Sequence, residues 1–276
     1  MRIGVVGHPI KHSLSAAMHN AVFKATRMGY KYDAFDVAPE DLCKFIEICK
    51  EDFIGLNVTL PHKVAVIKHI DELSREAQMI GAVNTIKFFE GKSRGYNTDG
   101  LGCLKALESA GIWVEGKRVL VLGAGGASRA IVYQCLLSGA SVSIANRQKE
   151  KAQALADEAK RKTGRKVPVI DYSYDGLLNG LKEIEVLINA TSVGMSPNVD
   201  ESPVEQSLLS ENLVVMDIVY NPIETKLLRE AKEKGCKTVN GVGMLVYQGA
   251  ESLKIWFKLE APVDVMKQAV ISQLTK

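Results

Sequence analysis

The sequence predicts an α/β protein of two consecutive units, each a sheet covered by helices. Three observations carry this. Short β-branched runs alternate with amphipathic stretches from one end of the chain to the other, the pattern of parallel strands joined through crossover helices. Near the middle, Val119–Ala127 reads Val-Leu-Val-Leu-Gly-Ala-Gly-Gly-Ala, which is a buried strand, a tight glycine turn and a helix start. Just before it, the periodicity breaks over Gly111–Gly116, marking a boundary between the units.

The elements follow in order. Arg2–Val6 is a β-branched run ending in Gly7. After Pro9 comes His12-Ser13-Leu14-Ser15 and a helical pattern over Ala16–Met28, with Ser13 or Ser15 as a natural N-cap. Tyr30–Val37 alternates like a strand, and Pro39-Glu40-Asp41 opens a helix with Leu42, Phe45, Ile46 and Cys49 on its apolar face. Gly55–Leu60 is a third strand, after which Pro61 sits at a helix start continued by Val64, Ile67 and Ile70. Leu73–Met79 reads as a short helix, Ala82–Ile86 as a strand, Glu90-Gly91-Lys92 as a turn and Leu101–Ala110 as a bridging helix. In the second half, helices are expected at Ala130–Leu137, Lys149–Lys162 and Thr225–Lys234. Strands are expected at Ser141–Ala145, Val167–Ile170, Glu185–Ala190, Leu213–Ile218 and Lys237–Val239, the last ending in Asn240–Met244. An amphipathic segment, Leu245–Phe257, and a helix after Pro262 close the chain.

Bulk properties narrow the function. With 276 residues, 46% hydrophobic and 24% charged, the chain suits a soluble protein with a substantial core. A net charge of +3 without clustered Lys or Arg gives no case for nucleic acid, and no apolar run is long enough to span a membrane. The five cysteines lack C-x-x-C or disulfide-like spacing and read as reduced thiols of a cytoplasmic protein. The five histidines lack metal-ligand spacing, so no metal is expected.

The glycine turn points to a nucleotide. Small residues let backbone N–H groups approach a phosphate, and the helix N-terminus adds partial positive charge. Gly123 and Gly125 fit the G-x-G-x-x-G spacing, with Ser128 in the third position. A NAD site places a carboxylate on the ribose about 20 positions beyond the glycines. Here the second strand ends in Ile144-Ala145-Asn146-Arg147. An amide and a guanidinium suit a 2′-phosphate, which a carboxylate would repel, so the pair argues for NADP. A solvated turn arginine is the bland alternative.

In the first half, polar residues gather at the ends of the predicted strands, where α/β sheets bind ligands. They are Ser13 and Ser15, Asn57, Thr59, Lys63, Asn84, and Asn97 with Asp99. Taken singly, Ser13 and Ser15 read as caps, Asn57, Thr59 and Asn84 as turn residues, and Asp99 as the N-cap of the following helix. A lysine in a helix's first turn opposes the dipole, which makes Lys63 a poor structural choice.

Together these segments resemble one family. Ser13-Leu14-Ser15, Asn57-Val58-Thr59-Leu60-Pro61-His62-Lys63, Gly81-Ala82-Val83-Asn84-Thr85, Asn97-Thr98-Asp99-Gly100, Gly123-Ala124-Gly125-Gly126-Ala127, Asn146-Arg147 and Tyr247-Gln248-Gly249-Ala250 occur in the order found in shikimate dehydrogenases. The resemblance covers essentially the whole chain. It implies a substrate domain over 1–101 with a mixed, mainly parallel sheet and a Rossmann-like NADP-binding domain over 102–240. C-terminal helices over 241–276 would pack back on the first domain, with a deep cleft between the two domains. The implied reaction is NADPH-dependent reduction of 3-dehydroshikimate to shikimate, a step of aromatic amino-acid biosynthesis.

The resemblance further makes Lys63 the catalytic residue and Asp99 its partner. Ser13 and Ser15 would hold the substrate carboxylate, with Asn84, Thr59 and Gln248 on the substrate hydroxyls and Asn57 and Tyr220 less firmly so. Gly123, Ala124, Gly125, Gly126 and Ala127 would take the pyrophosphate, and Asn146 and Arg147 the adenosine phosphate. Thr191, Met195 and Met244 would lie on the nicotinamide side, with Val219 and Gly241 completing the cofactor set. Gln148 stands where the family often has Thr, leaving Arg147 as the main phosphate determinant. Two rivals stay open. One is a quinate/shikimate dehydrogenase with broader substrate and cofactor use. The other is a silent shikimate- or nucleotide-binding regulator, against which retention of both Lys63 and Asp99 counts. The oligomeric state, a homodimer included, is left open.

Overall fold

The computed structural model describes residues 1–11 and 13–275; His12, read above as part of the segment before the first helix, lies outside the described residues. The chain divides into two compact units, residues 1–99 together with the stretch from Val246 onward, and Gly100–Leu245.

The first unit opens with β1 (Arg2–Gly7), α1 (Ser15–Ala25) and β2 (Tyr32–Asp36). A 3₁₀ turn over Pro39–Asp41 leads into α2 (Leu42–Asp52), then β3 (Phe53–Val58). After a second 3₁₀ turn, Ala65–His69, come β4 (Glu72–Leu73), α3 (Arg75–Ile80), β5 (Thr85–Phe89) and β6 (Lys92–Tyr96). Among the described residues these strands form one sheet ordered β2-β1-β3-β5-β6-β4. β1, β2 and β3 are parallel, whereas β5 runs antiparallel to both β3 and β6. The core of this unit includes Val6, Leu42, Ile46, Phe53, Leu56, Val66 and Ile86.

The second unit begins on α4 (Asp99–Ser109) and continues with β7 (Arg118–Leu122), α5 (Gly126–Leu137), β8 (Ser141–Ala145), α6 (Lys149–Thr163) and β9 (Val169–Ile170). Next come α7 (Tyr174–Leu181), β10 (Val186–Asn189), β11 (Val214–Asp217), α8 (Lys226–Glu233) and β12 (Lys237–Val239). Its sheet is ordered β12-β11-β10-β7-β8-β9, with every pairing parallel. In chain order that is the 3-2-1-4-5-6 arrangement, whose direction of winding reverses between β7 and β10. α9 (Gly241–Phe257) passes from the second unit into the first, which α10 (Val263–Leu274) completes.

Several expectations need correction. The N-cap position of α1 is Leu14, not a serine, and it makes no side-chain cap bond; Ser13 stands one residue too early and Ser15 is already helical. Pro61 starts no helix. The Lys63 carbonyl accepts from the Val83 N–H at 2.8 Å, which diverts it from an i+4 partner, and only the short 3₁₀ turn at Ala65 follows. The dipole argument against a structural Lys63 therefore lapses. The same bond draws Val83 out of the ladder, so the strand expected from Ala82 starts at Thr85. Leu73, read as the start of a helix, instead pairs beside β6 together with Glu72, and Ser74 then caps α3. Glu90 and Gly91 both have positive φ (49° and 72°), the geometry of a two-residue hairpin turn. That turn makes β6 return antiparallel along β5. Residues 241–244, read as the trailing end of a strand, are the first turn of α9. α7 has no counterpart in the sequence pattern, because Gly176, Asn179 and Gly180 dilute its helical signal; Ser173 caps it.

Candidate active site

In the first unit, a chain of buried polar groups ends on one cation. Lys63 Nζ donates to Asp99 Oδ2 at 2.6 Å, with the lysine side chain 15% and the aspartate 5% exposed. The other oxygen, Asp99 Oδ1, accepts from Asn84 Nδ2 at 2.8 Å. Asp99 is the first residue of α4, but its carboxylate faces Lys63 and Asn84, so the N-cap reading gives way to a charge pair. The Asn97 side chain takes the Asp99 N–H instead.

Asn84 is held from every side. Its carbonyl oxygen accepts from the Thr98 N–H at 2.8 Å and from Thr85 Oγ1 at 3.0 Å. Its amide also meets Thr98 Oγ1 at 2.9 Å and Gln248 Oε1 at 3.3 Å. One layer deeper, Asn57 Nδ2 donates to the Asn84 carbonyl, Thr85 Oγ1 and Ser252 Oγ, and Tyr32 donates its hydroxyl proton to Asn57 Oδ1 at 2.7 Å. Asn57 thus has its polar atoms engaged inside the protein and braces Asn84. Tyr32, Thr85, Thr98 and Ser252 escaped the sequence reading. Thr85 and Thr98 flank named motif residues, a signal that was present, whereas Tyr32 and Ser252 look like ordinary strand and helix positions.

The loops after β1 and β3 leave the sheet side by side, since Val6 is in register with Val58. The His8 N–H donates to the Leu60 carbonyl and the Thr59 N–H to the Val6 carbonyl. The first loop carries Ser13 and leads to Ser15, the first residue of α1; the second carries Thr59 and Lys63. Ser13 Oγ accepts from the Ser15 N–H at 3.4 Å. His62 is buried, and its Nε2 bonds the Val37 carbonyl at 2.8 Å, anchoring the backbone beside Lys63. Gln248 joins this group from α9. Tyr220 belongs to the second unit.

In the second unit the glycine turn has the features of an anion cradle. Gly123 has φ +112°, and a Cβ there would lie 2.6 Å from Ser128 Oγ and 3.1 Å from the Ala190 carbonyl, so only glycine fits. Ser128 is fully buried and donates to the Ala190 carbonyl at 3.2 Å, fastening α5 to the end of β10. Gly125, by contrast, is exposed, with no atom within 4 Å of the position of an added Cβ. Gly126 and Ala127 open α5, a helix of 12 residues whose first N–H groups have no helical acceptor, and Ala124 lies in the turn before them. This open, donor-rich turn fits a dinucleotide pyrophosphate.

At the end of β8, the neighbour of β7, Asn146 donates locally to the Gln148 carbonyl at 2.8 Å, at an exposed position. Arg147 is exposed, and no carboxylate occupies residues 144–148. That donor set fits a phosphate better than a bare ribose. Thr191 and Met195 lie in the loop after β10, Val219 in the loop after β11, and Gly241 and Met244 in the first turn of α9; Met195 is exposed, whereas Val219 and Met244 are buried.

Comparison with known proteins agrees with this arrangement. Residues 5–86 match the family model described as the shikimate dehydrogenase substrate binding domain, residues 106–233 that of shikimate / quinate 5-dehydrogenase, and residues 241–271 that of the shikimate 5′-dehydrogenase C-terminal domain. The chain is 48% identical over 276 residues to shikimate dehydrogenase (NADP(+)) of Methanocaldococcus jannaschii, covering 99% of this chain and 97% of that protein. A crystal structure of shikimate dehydrogenase in complex with NADP+ superposes with a TM-score of 0.94 at 47% identity, covering 99% of this chain and 96% of the other. Shikimate 5-dehydrogenase from Thermus thermophilus, in complex with NADP(H) and shikimate, gives 0.89 at 39% identity and 99% coverage of both chains. Fold, motif order and whole-length similarity agree: the chain belongs to the shikimate dehydrogenase family.

Proposed function

We propose that the chain is an NADP-dependent shikimate dehydrogenase, reducing 3-dehydroshikimate to shikimate reversibly in the shikimate pathway. The observation that carries this reading is the Lys63–Asp99 pair, 2.6 Å apart and braced by Asn84. Reducing a ketone leaves a developing alkoxide that needs a proton and a nearby positive charge. Lys63 Nζ offers both from one atom. Asp99 orients the ammonium through one oxygen and is held through the other by Asn84, so the donor is aimed before substrate arrives. In the oxidative direction the proton runs the opposite way, from the substrate hydroxyl to Lys63 Nζ. When bound, the cofactor supplies or takes the hydride.

Ser13 and Ser15 are assigned to the substrate carboxylate. Thr59, Asn84 and Gln248 are assigned to its hydroxyls, and Asn57 braces Asn84 from behind. Gly123–Ala127 are assigned to the pyrophosphate, Arg147 with Asn146 to the adenosine phosphate, and Thr191, Met195, Val219, Gly241 and Met244 to the nicotinamide end. The five cysteines, all free thiols and four of them buried, favour a reducing cytoplasmic setting. No helix among the described residues is long and apolar enough to cross a membrane. The test is formation of NADPH from NADP+ on adding shikimate. A steady, enzyme-dependent rise in NADPH absorbance is expected, and no turnover of shikimate with either NADP+ or NAD+ refutes the reading.

A further inference from the structure

Three polar side chains of the second unit are fully enclosed yet belong to none of the sets above: Asn189, Asp217 and Thr225, each 0% exposed. Burying a carboxyl is costly, and burial pushes the Asp217 carboxyl up to about 6 against the hydrogen bonds that oppose it. A valine or leucine would pack the same volume without that cost, and the strands here are already paired. The bonds these groups make show what they hold.

Asn189 and Asp217 are the last residues of the neighbouring parallel strands β10 and β11 and stand opposite each other in register. They join directly, Asn189 Nδ2 donating to Asp217 Oδ1 at 3.0 Å. Each also reaches forward into its own loop. Asn189 Oδ1 accepts from the N–H and hydroxyl of Thr191 at 3.1 and 2.7 Å, and its amide meets the Val193 carbonyl at 3.3 Å. Asp217 Oδ1 accepts from the Val219 N–H at 3.0 Å. Asp217 Oδ2 takes the Thr225 hydroxyl at 2.7 Å, and Thr225 caps α8. Further out, the Ser196 N–H donates to the Asn221 carbonyl at 3.0 Å. The loop after β10 also touches the glycine turn, because a Cβ on Gly123 would lie 3.1 Å from Thr191 Cγ2.

We propose that Asn189 and Asp217 form a buried latch that fixes the Thr191–Met195 loop to the loop beginning at Val219, and so position the residues that meet the nicotinamide end of the dinucleotide. The proposal rests on the cofactor reading above. Neither side chain touches the ligand; both are positioning residues. The latch leaves the adenosine-phosphate end alone, because Arg147 lies beyond β8, on the far side of β7 from β10.

The experiment exploits that division. NADP+ and adenosine 2′,5′-bisphosphate, which lacks the nicotinamide half, are titrated calorimetrically into the full-length wild type, Asn189→Ala and Thr225→Val. Asn189→Ala is chosen because two of its three partners, Thr191 and Val193, are only part-buried, while the third, Asp217, keeps its bonds from Val219 and Thr225. That variant should bind the bisphosphate within about twofold of wild type but NADP+ about tenfold or more weakly, because the four hydrogen bonds lost with the Asn189 side chain all lie at one end and only those to Thr191 and Val193 are open to replacement by water. The KM for shikimate at saturating NADP+ should stay within about twofold while kcat falls. Thr225→Val removes the bond to Asp217 and the side-chain cap of α8 at constant volume, and should give the same pattern at about threefold. Equal weakening of both ligands, or of neither, overturns the latch. Failure of both variants to fold assigns the network to stability alone and overturns it too. A wild type that binds neither ligand overturns the cofactor reading, and the latch with it.

Discussion

Replacing Lys63 with Met separates chemistry from binding most cleanly. Met has nearly the length of Lys and no proton to give. If Lys63 protonates the alkoxide, its loss should lower kcat by about 10²–10⁴-fold, roughly 3–5 kcal/mol of transition-state stabilisation. Substrate affinity should change little, with KM for shikimate within about threefold, because the proposed carboxylate and hydroxyl contacts come from Ser13, Ser15, Thr59, Asn84 and Gln248. Stability should respond as well. Asp99, with its side chain 5% exposed, would keep its bond from Asn84 and lose its cation, at about 1–3 kcal/mol. Adding Asp99→Asn removes the stranded charge while leaving an oxygen for Asn84. The double variant should therefore melt higher than Lys63→Met and remain as inactive. Steady-state kinetics and thermal denaturation on the three proteins read both effects. A Lys63→Met enzyme that retains kcat within about threefold of wild type refutes Lys63 as the proton donor.

Three further outcomes follow from the geometry. Arg147→Ala should weaken kcat/KM for NADP+ by about 10–100-fold, the equivalent of losing a charge-assisted phosphate contact, and leave NAD+ use nearly unchanged; parallel loss with both cofactors contradicts the assignment. Gly123→Ala places a Cβ 2.6 Å from Ser128 Oγ at φ +112° and should cost about 1–3 kcal/mol of stability, together with cofactor binding. His19 is fully buried, stacks on Tyr32 at 4.3 Å, has neither ring nitrogen hydrogen-bonded, and is pushed down by burial to about 3. Its unfolded-state value is near 6.5, so the unfolded chain binds the extra proton and stability falls as pH drops from 6.5 toward 3. Relative to His19→Leu, the wild type should lose about 2 kcal/mol between pH 7 and pH 5 in urea melts; an unchanged gap contradicts the assignment. Asp217, raised to about 6, acts in the opposite sense, favouring the folded state at low pH by about 1 kcal/mol over the same interval. It is common to both proteins and cancels from the comparison.

What the sequence made legible follows the range of the forces involved. The expected strands Glu185–Ala190 and Leu213–Ile218 enclose β10 and β11, because buried parallel strands are local apolar runs. The glycine turn was readable because its small residues and positive φ are local, although Ser128 at the third glycine position proves to be a packing hydroxyl bonded to the distant Ala190 carbonyl. Long-range pairings were not readable. The Lys63 backbone is set by Val83, twenty positions on, and the antiparallel return of β6 along β5 depends on two positive-φ residues that resemble any surface turn. Asp99 shows the limit most clearly. Its local context says helix cap, and only the fold brings Lys63 to it across 36 positions. Asn189 and Asp217 each end an ordinary apolar run, and their meaning lies in the adjacency of β10 and β11.

The central claim is that the first unit reduces a shikimate-type ketone while the second selects NADP. The measurement that bears on it most directly is kcat/KM for the purified chain with shikimate and quinate, each with NADP+ and NAD+. The account predicts that shikimate with NADP+ exceeds the other three combinations, by about tenfold or more over shikimate with NAD+, as one charge-assisted phosphate contact implies. A preference for NAD+, or for quinate, would contradict it.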